Sequence, residues 1–170
     1  MYKINLFFKS LFLLFISFSL LNANDALKQE EINQIYFFPK SADKVKDRIE
    51  NLIKESEESI YISMYNFSYK KFAKKLVKRA KDGIEIVVIF DESKIKKDDK
   101  IYKLLKKNDI KVIIADKKLH TKVALFDEKI IMLGSTNWTK KSFKENYEVV
   151  LFSKDKKIIN DTKKFIKQLY

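Results

Sequence analysis

A chain of 170 residues is long enough for one domain that buries its own core without metal or disulfide staples. It contains no cysteine, which excludes disulfides, thiolate metal sites and lipid attachment through an N-terminal cysteine. The 36 Lys and Arg against 23 Asp and Glu give a formal net charge of +13, so the long-range field favours polyanions such as nucleic acid or an anionic membrane surface, although acids interspersed among the lysines also fit a plain compositional bias.

In chain order, residues 1–23 (MYKINLFFKSLFLLFISFSLLNA) place Lys3 and Lys9 ahead of an apolar run from Leu11 to Leu21, with no acid before Asp25 and a small residue at Ala23. This is the pattern of an export signal, and its removal takes away two lysines and no acid, leaving +11 on residues 24–170. The run is also long enough to act as an uncleaved anchor, so the alternatives are a periplasmic or secreted protein and one that stays membrane-associated through this segment. Beyond it, Ile35 to Phe38 reads as a short strand stopped by Pro39, and Val45, Ile49, Leu52 and Ile53 recur at helical spacing. Ser59 to Tyr65 is rich in strand formers. Phe72, Ala73, Leu76, Val77 and Ala80 mark a second helix, with Gly83 where a C-terminal cap belongs. Ile84 to Phe90 predicts a buried strand, Ile101, Leu104 and Leu105 a third helix, and Ile110 to Ala115 another strand. A hairpin follows, then a strand from Tyr147 to Phe152 and a basic helix with Ile158, Ile159, Phe165 and Leu169 on one side. Strands alternating with helices predict a layered α/β fold with a mixed, largely parallel central sheet flanked by helices, in a single domain over residues 24–170.

The hairpin concentrates the chemistry. Thr121 to Phe126 and Ile130 to Leu133 are apolar enough for core strands and must pair antiparallel across Asp127-Glu128-Lys129. If Asp127 faces Ile130 over a two-residue loop, Lys122 lies opposite Ser135 and His120 opposite Asn137. Period-two alternation then puts imidazole, ammonium, hydroxyl and amide on one face at one end, a shared face that a one-residue slip would destroy. Asp127 is an odd number of residues from His120 and suits a structural acceptor better than a catalytic base. A lysine with amide and hydroxyl donors neutralises phosphate oxygens and the charge of a pentavalent transition state, and an imidazole beside them attacks phosphorus. In-line displacement also needs a proton donor on the departing side, where the same imidazole cannot be. His120 is the only histidine. The acid is therefore the His120 of a second chain, which implies a two-fold dimer, or else a lysine, tyrosine or carboxylic acid.

The run His120-x-Lys122-x4-Asp127-x6-Gly134-Ser135-x-Asn137 resembles the HKD motif of the phospholipase D superfamily. Ile35 to Pro39, Ile60 to Phe67, Ala80 to Ile84 and Asn146-Tyr147-Glu148 are also similar to the small bacterial nucleases of that superfamily, which carry one motif and form homodimers. The resemblance implies His120 of one chain as the nucleophile that forms a phosphohistidine, and His120 of the other as the acid that protonates the leaving oxygen and then activates water. It implies Lys122 and Asn137 on the phosphate oxygens, Ser135 assisting, Glu148 orienting a histidine, Asp127 and Gly134 as structural members of the motif, and no metal or other cofactor. Asp91-Glu92 and Asp98-Asp99 read as a strand end and a solvated helix start rather than a cation site. Tyr65, Phe67 and Trp138 are candidate substrate contacts; core packing is the alternative for each, and anchoring the next helix the favoured task for Trp138.

The resulting expectation is an exported, metal-independent endonuclease acting on DNA or RNA. The first alternative is a phospholipase D-type hydrolase of anionic phospholipid, aided by a basic surface and a retained anchor. A non-catalytic DNA-binding component is the alternative from another class, and it gives no reason for His120, Lys122 and Asn137 to be present together.

Overall fold

The structure, a computed structural model, describes residues 32–95 and 99–169. The export or anchor segment at residues 1–23 and Asp98 lie outside them. Among the described residues no helix is long and apolar enough to cross a membrane.

Strand β1 (Asn33–Phe37) is followed by α1 (Ala42–Glu55), β2 (Ser59–Met64), α2 (Lys70–Lys81), β3 (Glu85–Phe90), a 3₁₀ turn (Glu92–Lys94), α3 (Lys100–Lys107) and β4 (Lys111–Ile114). The hairpin β5 (Lys122–Phe126) and β6 (Ile130–Gly134), helix α4 (Lys140–Glu145), β7 (Val149–Ser153) and α5 (Lys156–Lys167) complete the order. The seven strands form one mixed sheet in the order β1-β7-β6-β5-β2-β3-β4. Its parallel part is narrower than the alternating pattern suggested. β2–β3 and β3–β4 are parallel, whereas β2–β5, β5–β6 and β6–β7 are antiparallel. The three-residue turn between β5 and β6 can reverse the chain but cannot carry it back for a parallel partner, and β7, reached through the short helix α4, also runs antiparallel to β6.

Both faces of the sheet are covered, and strand alternation sorts the side chains between them. Ile60, Ile62 and Met64 of β2, with Ala124 and Phe126 of β5, pack with Val45, Ile49, Phe72, Leu76, Ile101 and Leu105 of α1, α2 and α3. Val87, Ile89, Leu125 and Ile131 face the other way and pack with Ile159 and Ile166 of α5. Helix α2 ends as its sequence anticipates: Gly83 has φ +90, its N–H donates to Ala80 O (3.0 Å), and Ile84 N–H reaches back to Arg79 O (3.1 Å).

The hairpin register differs from the expected one by one residue. Phe126 pairs with Ile130 and Val123 with Leu133, which sets Lys122 against Gly134 and leaves Asp127, Glu128 and Lys129 in the turn. Asp127 and Glu128 both have φ +51, and Lys129 N–H donates to Phe126 O at 2.9 Å. Asp127 is withdrawn from pairing with Ile130 because it bonds elsewhere. Its N–H donates to Ser59 O (2.8 Å), and its carboxylate accepts the N–H groups of Glu57, Glu58 and Ser59 at 2.8 to 3.1 Å. Burial alone would raise the Asp127 pKa, but these three amides and nearby Lys129 outweigh it and hold the carboxyl below its ordinary value.

Candidate active site

The C-terminal ends of β2, β3 and β4 and the N-terminal end of β5 meet at one edge of the sheet, where open α/β sheets present their ligands. His120 is exposed there, two residues before the buried Lys122 that starts β5. The Lys122 ammonium donates to the His120 carbonyl at 2.8 Å and lies 4.9 Å from the centre of the Tyr65 ring. Tyr65 also packs against the His120 imidazole, with centroids 4.5 Å apart, and carries the Lys94 ammonium at 4.6 Å. The end of β2 is tied to this segment by Tyr65 N–H to Thr121 O (2.8 Å) and by the Ser63 and Thr121 hydroxyls at 2.6 Å. Burial pulls the Lys122 pKa below the ordinary lysine value, against opposing contributions from Tyr65 and Glu148.

A second group of side chains arrives from β6, by a route the hairpin pairing did not suggest. The one-residue shift removes Ser135 and Asn137 from direct opposition to Lys122 and His120. Asn137 instead enters because the chain after β6 crosses to run beside the segment that follows β2. Phe67 bridges Trp138 in parallel, and Ser68 and Tyr69 N–H groups donate to Trp138 O at 2.9 and 2.8 Å. Asn66 N–H donates to Asn137 Oδ1 at 3.2 Å, which leaves the Nδ2 arm to donate to a substrate. Ser135 is held differently. Its hydroxyl donates to Glu148 in a short hydrogen bond and accepts Val149 N–H at 3.1 Å, while Asn146 Nδ2 donates to the other Glu148 oxygen at 2.9 Å. With its proton committed to Glu148, Ser135 is arranged to orient that carboxylate. Gly134 is needed where β6 meets β7: an added Cβ would lie 2.1 Å from Val149 O.

Phe67 and Trp138, candidate substrate contacts, take the packing alternative, which for Trp138 is the favoured one. Phe67 is 2% and Trp138 0% exposed, so neither ring presents a face to a ligand. They pack edge to face at 5.0 Å, and Trp138 meets Phe72 of α2 at the same distance, so their part is to hold the crossing that carries Asn137. Tyr65 remains half-buried and lines an open cleft of about 380 Å³ with Ser93, Lys117 and Lys118.

Asp91 is a residue whose part the sequence did not reveal. It is 2% exposed, caps the 3₁₀ turn through Ser93, and accepts Leu119 N–H at 2.7 Å, fixing the residue just before His120. The Ser93 hydroxyl donates to the same carboxylate; this bond, with the amides of Leu119 and Ser93, keeps its pKa below the ordinary value despite burial. Its only sequence signal was an acid at a strand end. Among the described residues no three His, Asp or Glu gather as a metal site would require.

Comparison with known proteins shows the family and the fold. The family model described as cardiolipin synthase, PLD-like domain, matches residues 49–170. A phospholipase D of Rickettsia prowazekii is 32% identical over 108 residues, which cover 62% of this chain and 53% of that protein, and a phospholipase D of Rickettsia conorii is 30% identical over 112 residues, covering 65% and 56%. The chain thus spans about half the length of the curated relatives it matches. Among solved structures, NucT from Helicobacter pylori superimposes with a TM-score of 0.75 at 28% identity, over 81% of this chain and 94% of that one. Nuc from Salmonella typhimurium, a phospholipase D family member, gives 0.71 at 21% identity over 81% and 92%, a likeness of fold.

Proposed function

Because the chain belongs to the phospholipase D superfamily, we propose that it is a phosphodiesterase that hydrolyses nucleic acid, most readily DNA, through a phosphohistidine formed on His120 at a site shared by two copies of the chain. The observation that carries this reading is the pairing of an exposed imidazole with a buried ammonium two residues on, both against Tyr65, whose chain neighbour Asn66 holds the Asn137 amide by its oxygen. Lys122 and the Asn137 Nδ2 group hold the non-bridging oxygens. His120 forms a bond to phosphorus as the bond to the leaving oxygen breaks, and the His120 of the second copy supplies the proton to that oxygen. Water, deprotonated by the same second imidazole, then attacks phosphorus and frees the first.

Support for a second copy comes from the incompleteness of the site, since the chain has one histidine. It also comes from the surface beside Glu148, where Tyr147 is 91% and Phe37 61% exposed, brought together by Phe38 N–H donating to Glu148 O at 2.9 Å. Exposed apolar side chains of this size beside the site suit burial against a second copy of the chain. Export, which rests on residues 1–23, is part of the same proposal and is checked by cell fractionation.

The deciding experiment offers the purified protein single-stranded and plasmid DNA in excess EDTA. Cleavage that His120→Ala abolishes, with dimer and fold retained, supports the reading; strict dependence on added metal overturns it. A second reading, hydrolysis of anionic phospholipid, is favoured by the relatives named phospholipase D and by the cardiolipin synthase description of the family. Activity on phospholipid vesicles with none on DNA would put it first.

A further inference from the structure

A cleft of about 500 Å³ opens beside Asn137, between the Asn66–Ser68 segment and the start of α4. Its wall consists of Asn66, Ser68, Asn137, Lys140, Lys141 and Asn146 with the Thr139 and Ser142 pair, and it contains no apolar side chain and no carboxylate. The cleft on the Tyr65 side differs, because Asp91, Glu92 and Asp116 line it together with Lys117 and Lys118. Thr139 and Ser142 satisfy each other, Oγ to Oγ at 3.1 Å and Ser142 N–H to Thr139 Oγ1 at 3.1 Å, so they shape the wall without reaching out. Lys140 and Lys141 are exposed at its rim.

We infer that this cleft is a subsite for the next phosphate and sugar of a polymeric substrate, so that the enzyme grips a nucleic-acid strand on the Asn137 side of the scissile bond. The inference rests on the nuclease reading above and adds where the strand beyond the scissile bond is held. Two ammonium groups and several amides match a phosphate flanked by hydroxyl and base edges. An acyl chain leaving the same phosphate would meet a mostly polar wall with two ammonium groups, which disfavours lipid in this direction. Asn137 belongs to both regions, and the Asn66 N–H that fixes its amide couples the subsite to the chemistry.

The test compares wild type with a Lys140→Ala, Lys141→Ala double variant on a dinucleotide, which has a single phosphodiester, and on a single-stranded twenty-residue oligonucleotide, with a cardiolipin vesicle as the lipid arm. For wild type, kcat/KM rises with length. In the variant the ratio of long to short kcat/KM falls about tenfold, as expected for two screened ion contacts, and the slope of log(kcat/KM) against log salt on the long substrate becomes shallower by about 1.4. An unchanged length ratio, or an equal loss on both lengths, overturns the subsite while leaving the nuclease intact. Wild-type activity on the vesicle with none on either oligonucleotide overturns the nuclease reading and the subsite with it.

Discussion

Asp127 belongs to the same motif as His120 and Lys122, yet it sits at the opposite end of β5, five residues beyond Lys122 and so about 17 Å away at strand rise. Its replacement should therefore destabilise the protein without disarming it. The Ser59 amide is part-buried, and losing a charge-assisted bond to it costs about 1.5–3 kcal/mol; the Glu57 and Glu58 amides are exposed, can turn to water, and add roughly 0.5 kcal/mol each. Asp127 also has φ +51, a conformation that costs an alanine about 1 kcal/mol more than a glycine. Asp127→Ala is thus expected to lose about 3–5 kcal/mol and Asp127→Gly about 1 kcal/mol less, a large part of the roughly 5–15 kcal/mol of a typical domain. The pH dependence follows from the depressed pKa. Because the folded-state value lies below the unfolded one, the contribution is complete above the unfolded pKa of about 3.9 and is lost as pH falls through the folded value. Urea melts at pH 7 and at pH 3 should show the gap between wild type and Asp127→Asn closing with acid. A wild-type-like melt for Asp127→Ala, or a hundredfold loss of kcat per folded molecule, would refute the assignment.

Gly134→Ala drives a methyl into Val149 O, 2.1 Å from the added carbon, and should cost at least about 1–3 kcal/mol in a thermal melt while displacing Ser135 and Glu148 and so lowering kcat. Asp91→Ala leaves the Leu119 amide buried without its acceptor; a kcat that falls well beyond any change in KM, with partial rescue by Asp91→Asn, would mark a residue that positions His120. Glu148→Gln removes a charge that raises the Lys122 pKa, so Lys122 loses its proton at lower pH and the alkaline limb of kcat/KM should move toward acid. Mixing wild-type and His120→Ala chains should yield heterodimers with a single nucleophile and no complementary acid, read as total activity falling with the square of the wild-type fraction.

The order of strands and helices was legible because apolar spacing is local. The repeat of Val45, Ile49, Leu52 and Ile53 decides a helix wherever it is placed, and Gly83 decides where α2 stops. The motif likewise pointed to the proposed chemistry, because His120, Lys122 and Asn137 are groups suited to a phosphate. How they meet was not local. The register of β5 and β6 depends on where the Asp127 carboxylate finds its donors, and those are amides about seventy positions earlier in the chain, so pattern within the hairpin could not fix it. The entry of Asn137 depends on Trp138 packing into Phe67 and Phe72, and the placing of His120 on Asp91 reaching Leu119. By itself the sequence determined the order of elements, singled out the side chains proposed to act on a phosphodiester, and limited one chain to a single imidazole. Only the tertiary structure decided their arrangement, since a hydrogen bond between distant segments exists only once the sheet has brought their ends together.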